Sequence, residues 1–271
     1  LPMPENVTEK NMRQIRAASK LIRRKQRQYE TQNLQFAEMR EDAGLKEYLD
    51  RTTFINKDGE VCEFTDLQKH DLNLVLQKRY ALLNWQQGSG KTAAVYHRAK
   101  YLLKFRKAKN VIILAPAIAT NMTWIPFLTI NKERFRTIQT AGDLNNIPEG
   151  TFLVVSTSML RKLKRGLMRF VKRTSGKLCL VFDESDEITN PTSQRTRNVL
   201  CIFRRLRYKI LDTGTTTRNN IAELYSQFEL LYNNSVNMIC WSPQVYHENR
   251  DREIEEENNP DYGTPFPAFR G

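Results

Sequence analysis

The sequence predicts an α/β domain, a mostly parallel sheet with helices on both faces, preceded by a basic helical N-terminal extension. Three observations predict it. Runs that are apolar almost throughout, at Val111–Ala115, Phe152–Thr157 and Leu178–Phe182, alternate with segments of helical spacing. Strands without a polar face belong to parallel sheets covered on both sides. A Gly-rich turn, Gly88-Ser89-Gly90-Lys91-Thr92, follows a short strand and opens a helix, and the run Leu178–Phe182 ends in the paired acids Asp183 and Glu184.

The first 63 residues form the extension. From Thr8 to about Tyr48 there is no Pro, and apolar residues recur at Ile15, Ala18, Ile22, Leu34 and Met39, which predicts helix. Lys10, Arg13, Arg16, Lys20, Arg23, Arg24, Lys25 and Arg27 form a dense positive run within it. Such a run is either a solvated helix face or a phosphate-contacting arm, and the sequence alone leaves both open. Asn56-Lys57-Asp58-Gly59 is a turn between short strands at Thr52–Ile55 and Val61–Phe64.

The α/β rhythm occupies residues 64–235. Leu67–Arg79 has helical spacing, Tyr80–Trp85 reads as a strand, and Lys91 to about Phe105 as a helix. Tyr208–Leu211 is a further strand, closed by Thr213-Gly214-Thr215. Ser158–Val171, Gln194–Leu206 and Ile221–Leu231 supply the intervening and final helices. Residues 236–271 lose the pattern: Asp251–Glu257 is acidic and the rest is rich in Pro, Gly and aromatics, an irregular tail leading toward an insertion or linker.

The chain has 271 residues, with 43 Lys and Arg against 30 Asp and Glu, a net charge of +13. That balance favours a polyanionic partner without separating DNA from RNA or an anionic membrane surface. With 40% hydrophobic residues the chain can bury a core, and wholesale disorder is excluded. No apolar run reaches the roughly 18–20 residues that span a bilayer, so no membrane partner is expected. The four cysteines, Cys62, Cys179, Cys201 and Cys240, lie far apart with no CxxC pair. Neither a disulfide framework nor a zinc site is expected, and a reducing intracellular location, cytoplasmic or nucleoid in a prokaryote, is the default. A Leu at the first position and an end at Phe269-Arg270-Gly271 suggest a piece of a longer polypeptide.

Two segments carry chemistry. In Gly88-Ser89-Gly90-Lys91-Thr92, backbone N–H groups at a helix start can cradle phosphates, Lys91 can reach the β- and γ-phosphates, and Thr92 can ligate Mg2+. The full GxxxxGK[ST] form would place Gly where this chain has Trp85. Asp183, at the carboxyl end of its strand, is placed to hold Mg2+, and Glu184 to orient or deprotonate an attacking water. The expected ligands are therefore ATP and Mg2+.

The ordered motifs from Phe64 to Leu231 resemble the Swi/Snf branch of superfamily 2 helicase-like ATPases, which are double-stranded DNA translocases. Asp183-Glu184-Ser185-Asp186, followed by Ile188, Asn190 and Ser193, resembles the branch's DEAH-like box and its downstream residues. Thr213-Gly214-Thr215, Asn219-Asn220 and Glu223-Leu224-Tyr225 resemble its third motif, and Leu114-Ala115-Pro116 with Trp124 its motif Ia. Val155-Ser156-Thr157-Ser158 resembles a segment that lies near the nucleic-acid backbone. Three departures stand out: Trp85-Gln86-Gln87 replaces an acidic run, Asp186 replaces His, and Arg218 replaces Gln.

The resemblance implies a RecA-like first lobe with Lys91, Asp183 and Glu184 as catalytic residues. Gly88, Ser89, Gly90, Lys91 and Thr92 would bind nucleotide, and Thr92 and Asp183 would hold the metal. Gln68 is the candidate adenine-reading residue, with Asp71 as its alternative. Thr213, Gly214, Thr215, Ser156, Thr157 and Asn190 would couple hydrolysis to DNA. Asp186 puts that coupling in question, because Asp accepts hydrogen bonds where a neutral His can also donate. The resemblance also implies a second RecA-like lobe in the full-length polypeptide, without which this chain turns over ATP poorly. The competing readings are an RNA-dependent DExD ATPase, the motor of a restriction, methylation or repair complex, and a non-catalytic duplex-binding module.

The remaining features read plainly. His70, His97 and His247 are isolated, and Trp124 and the other aromatics read as core. Lys162, Lys164, Arg165, Arg169, Lys172 and Arg173 make a basic helix that is either a solvated face or a duplex-phosphate track.

Overall fold

The computed structural model describes residues 39–174, 177–215 and 221–232, with Met12, Arg13, Ile15, Arg16, Ser19, Lys20, Ile22 and Arg23 as separate helical positions. Lys10, Arg24, Lys25 and Arg27 of the positive N-terminal run, Asn219 with Asn220, and the tail from residue 233 lie outside the described residues.

The expected helix does not run unbroken to Tyr48. Residues 39–42 are non-helical, and a new helix, α1, begins at Ala43 and ends at Asp50. Asp42 caps it, its side chain accepting from the Leu45 N–H at 2.8 Å. Asn73 holds the break open: its Oδ1 accepts from Asp42 N and its Nδ2 donates to Asp42 O, both at 2.8 Å. Those bonds satisfy backbone groups that a continuous helix would have paired internally.

Strands β1 (Thr53–Ile55) and β2 (Val61–Glu63) form an antiparallel hairpin. Thr65 then starts α2 (Asp66–Gln77) with a capping box completed by Gln68. β3 (Tyr80–Leu83) leads through the Gly-rich turn into α3 (Lys91–Lys104), and β4 (Asn110–Ala115) follows. After Pro116 come α4 (Ala117–Ala119), a π-helical turn (Thr120–Trp124) and α5 (Ile125–Ile130). β5 (Phe135–Thr137), β6 (Phe152–Ser156), α6 (Leu160–Arg173) and β7 (Leu178–Phe182) continue the alternation. It closes with α7 (Gln194–Phe203), β8 (Tyr208–Asp212) and α8 (Tyr225–Tyr232).

Six strands pair in the order β3-β8-β7-β4-β6-β5, every pairing parallel. The period of two along each strand divides the core. Val111, Ile113, Val154, Val181 and Ile210 face α2 and α3, whereas Ile112, Leu114, Val155, Leu180, Phe182 and Leu211 face α6, α7 and α8. At about 1.5–3 kcal/mol for each fully buried aliphatic or Phe side chain, both faces are needed to hold the strands. β5 was not expected from the sequence: it is a three-residue edge strand of half-buried residues.

Strand order and register fix the site. β8 lies between β3, which feeds the Gly-rich turn, and β7, which feeds the paired acids. Leu83 pairs with Asp212, and Phe182 with Leu211, so Asp183 and Asp212 stand level at the carboxyl edge. Because Phe182 and Leu211 point toward α7 and α8, the next residues on each strand point to the opposite face, where α3 begins.

Candidate active site

The Gly-rich turn is built by conformations that side chains resist. Gly88 and Gly90 have φ near +80° and +82°, and Gly90 is the residue from which α3 starts. Lys91 Nζ lies 3.2 Å from the carbonyl oxygen of Trp85 and 3.4 Å from that of Gln86, so the ammonium curls back over its own loop. A Cβ placed on Gly214 would stand 3.3 Å from Lys91 Nζ, so the loop after β8 closes on the lysine. Ser89 and Thr92 are half-buried beside it.

Gln68 reaches the same loop. Its Nε2 donates to Ser89 O at 2.8 Å while its Oε1 accepts from Thr65 N at 2.8 Å. Asp71, the alternative, is occupied otherwise: its Oδ2 accepts from the Trp85 indole at 2.8 Å.

The paired acids sit one strand away from β8. Asp183 is buried, and its Oδ2 accepts from Trp124 Nε1 at 2.7 Å. Trp124 is completely buried and is supplied by the π-helical turn, a wide turn that often marks functional positions. Glu184 has φ 52° and ψ 55°, a left-handed conformation costly for a non-Gly residue and characteristic of functional turns. Asp212 is 1% exposed, and neither of its oxygens receives a hydrogen bond. Burial holds its pKa well above the usual carboxylate range, with the Asp183 and Glu184 carboxyls adding to the shift and Lys91 opposing it. Lys91, Asp183, Glu184 and Asp212 thus share one electrostatic neighbourhood at one end of the sheet.

The loop after β8 also meets the acidic turn. Thr213 Oγ1 lies 3.3 Å from Asp186 Oδ1 and 2.9 Å from Thr215 O, and it accepts from Thr215 N at 3.1 Å. The Asp that stands in place of His therefore still has a partner in the third motif, taking the acceptor role. Ser185 Oγ donates to Gln227 Oε1 at 3.1 Å, which fastens the acidic turn to α8.

Other expected residues lie apart from this cluster. Ser156 Oγ is 2.8 Å from Ser158 Oγ on an exposed edge, but Thr157 is only 5% exposed. Asn190 is exposed and closes a local turn, its Oδ1 accepting from Thr192 N and Oγ1. Sequence reasoning treated Trp124 as core and passed over Asp212. A signal for the second was present: Ile210-Leu211-Asp212 ends in an acid as Val181-Phe182-Asp183 does.

With a phosphate-cradling turn, a lysine and three carboxyls together, the arrangement suits a triphosphate with a hard divalent cation. Among the described residues, no group of three or more His, Cys, Asp or Glu closes into a protein-only metal cage.

The family described as "Type III restriction enzyme, res subunit" matches residues 14–218. This chain belongs to that family. The helicase-like lobe is 27% identical over 175 residues to the ATP-dependent helicase FUN30 of Saccharomyces cerevisiae, covering 60% of this chain and 15% of that protein. It therefore spans under a sixth of that relative's length. Its fold is similar to the Sulfolobus solfataricus SWI2/SNF2 ATPase core domain, with a TM-score of 0.53 at 17% identity, covering 73% of this chain and 40% of that one. The parallel sheet and its flanking helices give this chain the RecA-like fold of that core domain. No helix among the described residues is long and apolar enough to cross a membrane.

Proposed function

We propose that this lobe binds Mg2+–ATP and serves as the first half of a DNA-dependent ATPase that translocates on double-stranded DNA. The observation that carries the reading is the meeting of Lys91, Asp183, Glu184 and Asp212 at the carboxyl edge of three adjacent strands. Gly88, Ser89 and Gly90 would wrap the phosphates, and Lys91 would exchange the Trp85 and Gln86 carbonyls for phosphate oxygens. Gln68, already bonded to Ser89, is placed to couple base recognition to loop shape.

The residues fit a magnesium ion: Thr92 and Asp183 offer hard oxygen ligands, and the unpartnered Asp212 oxygens mark a deficit of positive charge beside them. When bound, Mg2+ would neutralise charge on the phosphates during transfer. Trp124 holds one Asp183 oxygen and would thereby orient the carboxylate for the cation. Glu184 would accept the proton of a water attacking the γ-phosphorus, as the bond to the bridging β–γ oxygen breaks and ADP leaves. Thr213 and Asp186 would carry the changed shape of the acidic turn into the loop after β8.

FUN30 is named an ATP-dependent helicase, and the Sulfolobus solfataricus protein an ATPase core. We assign duplex DNA as the polyanion because Thr213-Gly214-Thr215 and the apolar strand ending at Pro116 follow the duplex-translocating pattern rather than the RNA-dependent one. A second RecA-like lobe in the same polypeptide would supply arginine fingers, worth about 10³–10⁵ in rate. ATP titrated against thermal unfolding tests the binding step. Saturation at a hundred times Kd should add about 2.7 kcal/mol of stability to the wild type and almost none to Lys91→Ala. A wild type that ATP does not stabilise overturns the reading.

A further inference from the structure

Beyond the acid pair, the end of β8 carries an acid that no motif assigns. Asp212 sits in the strand between the phosphate loop and Asp183, in register with Leu83 on one side and one residue past the Phe182–Leu211 pair on the other. It is 1% exposed, and both carboxyl oxygens lack any donor. What they face is the Asp183 carboxyl, within side-chain hydrogen-bonding range. Lys91 is near enough to act on Asp212 electrostatically, but its ammonium is committed to two backbone carbonyls. A buried acid facing another acid with no donor costs stability, and the cost falls when one of the pair takes up a proton or when positive charge and hydrogen-bond donors arrive together. A hydrated divalent cation brings both.

We infer that Asp212 is a further carboxylate of the metal–nucleotide site, its oxygens accepting from waters of the cation's shell beside Asp183. The inference rests on the proposed Mg2+–ATP reading and adds a residue to it. It accounts for three features at once. Asp212 is buried without a partner; it points to the α3 face rather than the α7 face; and it follows two apolar strand residues, Ile210 and Leu211. A purely structural role would be better filled by an apolar residue continuing Ile210-Leu211.

The test uses Mn2+ as the probe, the free aquo-ion signal being read by electron paramagnetic resonance with and without ADP, on the wild type, Asp212→Asn and Asp212→Leu. ADP affinity in EDTA is measured separately. The expected result is at least about a tenfold loss of Mn2+ affinity in both variants when ADP is present, the range seen for outer-shell partners of metals. ADP affinity without metal should stay within twofold or improve. Should Asp212→Leu fail to fold, Asp212→Asn, which keeps the shape, decides the matter. Mn2+–ADP binding by the wild type with unchanged affinity in the variants sinks only the role of Asp212. Loss of metal and metal-free ADP affinity in parallel assigns it to structure, which also sinks it. Absence of Mn2+–ADP binding by the wild type sinks the inference together with the nucleotide reading.

Discussion

At the scale of single residues, the site is held by bonds between positions far apart in the chain. Trp124 Nε1 donates to Asp183 across 59 positions, and both residues are buried. Trp124→Phe keeps the aromatic packing, removes the donor and leaves a buried carboxylate oxygen unsatisfied. The expected cost is about 1–3 kcal/mol in urea unfolding, together with weaker Mn2+–ADP binding as Asp183 loses its orientation. Unchanged midpoint and unchanged metal affinity would show that the bond carries nothing. Asp212→Leu should move stability the other way, raising Tm, because it replaces a donorless buried acid with apolar volume. His97 gives a pH prediction of definite sign. It is packed among Phe54, Phe64 and Tyr96, and burial lowers its pKa from 6.5 to about 4, with Lys100 adding to the effect. Between those values the unfolded chain binds the proton and the folded one does not. Stability is therefore lost as pH falls from 6.5 toward 4, by an amount on the order of 3 kcal/mol. His97→Phe should flatten that limb in urea titrations at successive pH values, and an equal slope in both proteins would contradict the assignment.

At the scale of elements, legibility followed side-chain period and length. β4, β6 and β7 are five or six residues long and buried almost throughout, so their apolar runs announced a covered parallel sheet. β5 is three half-buried residues on an edge, too short for any period to show. The break before α1 was hidden because Asn73, the residue that holds it, comes 31 positions later. The phosphate loop was legible because Gly88 and Gly90 must adopt positive φ, a demand that one glycine spacing satisfies. Trp124 was read as core, correctly by burial; its second role needs a carboxylate that only the fold brings near. α6 illustrates the limit of pattern. Leu160, Leu163, Leu167 and Phe170 are buried, while Arg161, Lys162, Arg165, Arg169, Lys172 and Arg173 are exposed. A solvated face and a phosphate track give the same stripe. Reversing Lys162, Arg165 and Arg169 to Glu distinguishes them. A duplex track would lower affinity for duplex DNA and flatten the dependence of log K on log salt by roughly 0.9 per lost phosphate contact. An unaltered slope would identify a solvated face.

At the scale of the whole molecule, the described lobe presents its phosphate loop, acidic turn and Thr213 loop along one edge of the sheet. The groups gathered there include the Asp183, Glu184 and Asp212 carboxyls and Lys91. Under the proposed function, cations from a second lobe would join Lys91 and the metal in meeting charge that develops on the γ-phosphoryl oxygens. The consequence is a separation between binding and turnover. This chain alone should gain stability from Mg2+–ATP yet release phosphate slowly, with little response to duplex DNA. Were the proposed second lobe joined to it, the site should accelerate by about 10³–10⁵, and duplex DNA should stimulate it more than RNA does. Steady-state phosphate release by the chain and by the full-length protein, each with and without duplex DNA, separates these terms. Robust DNA-stimulated turnover by the chain alone would mean that the residues at this one edge already suffice for the chemistry.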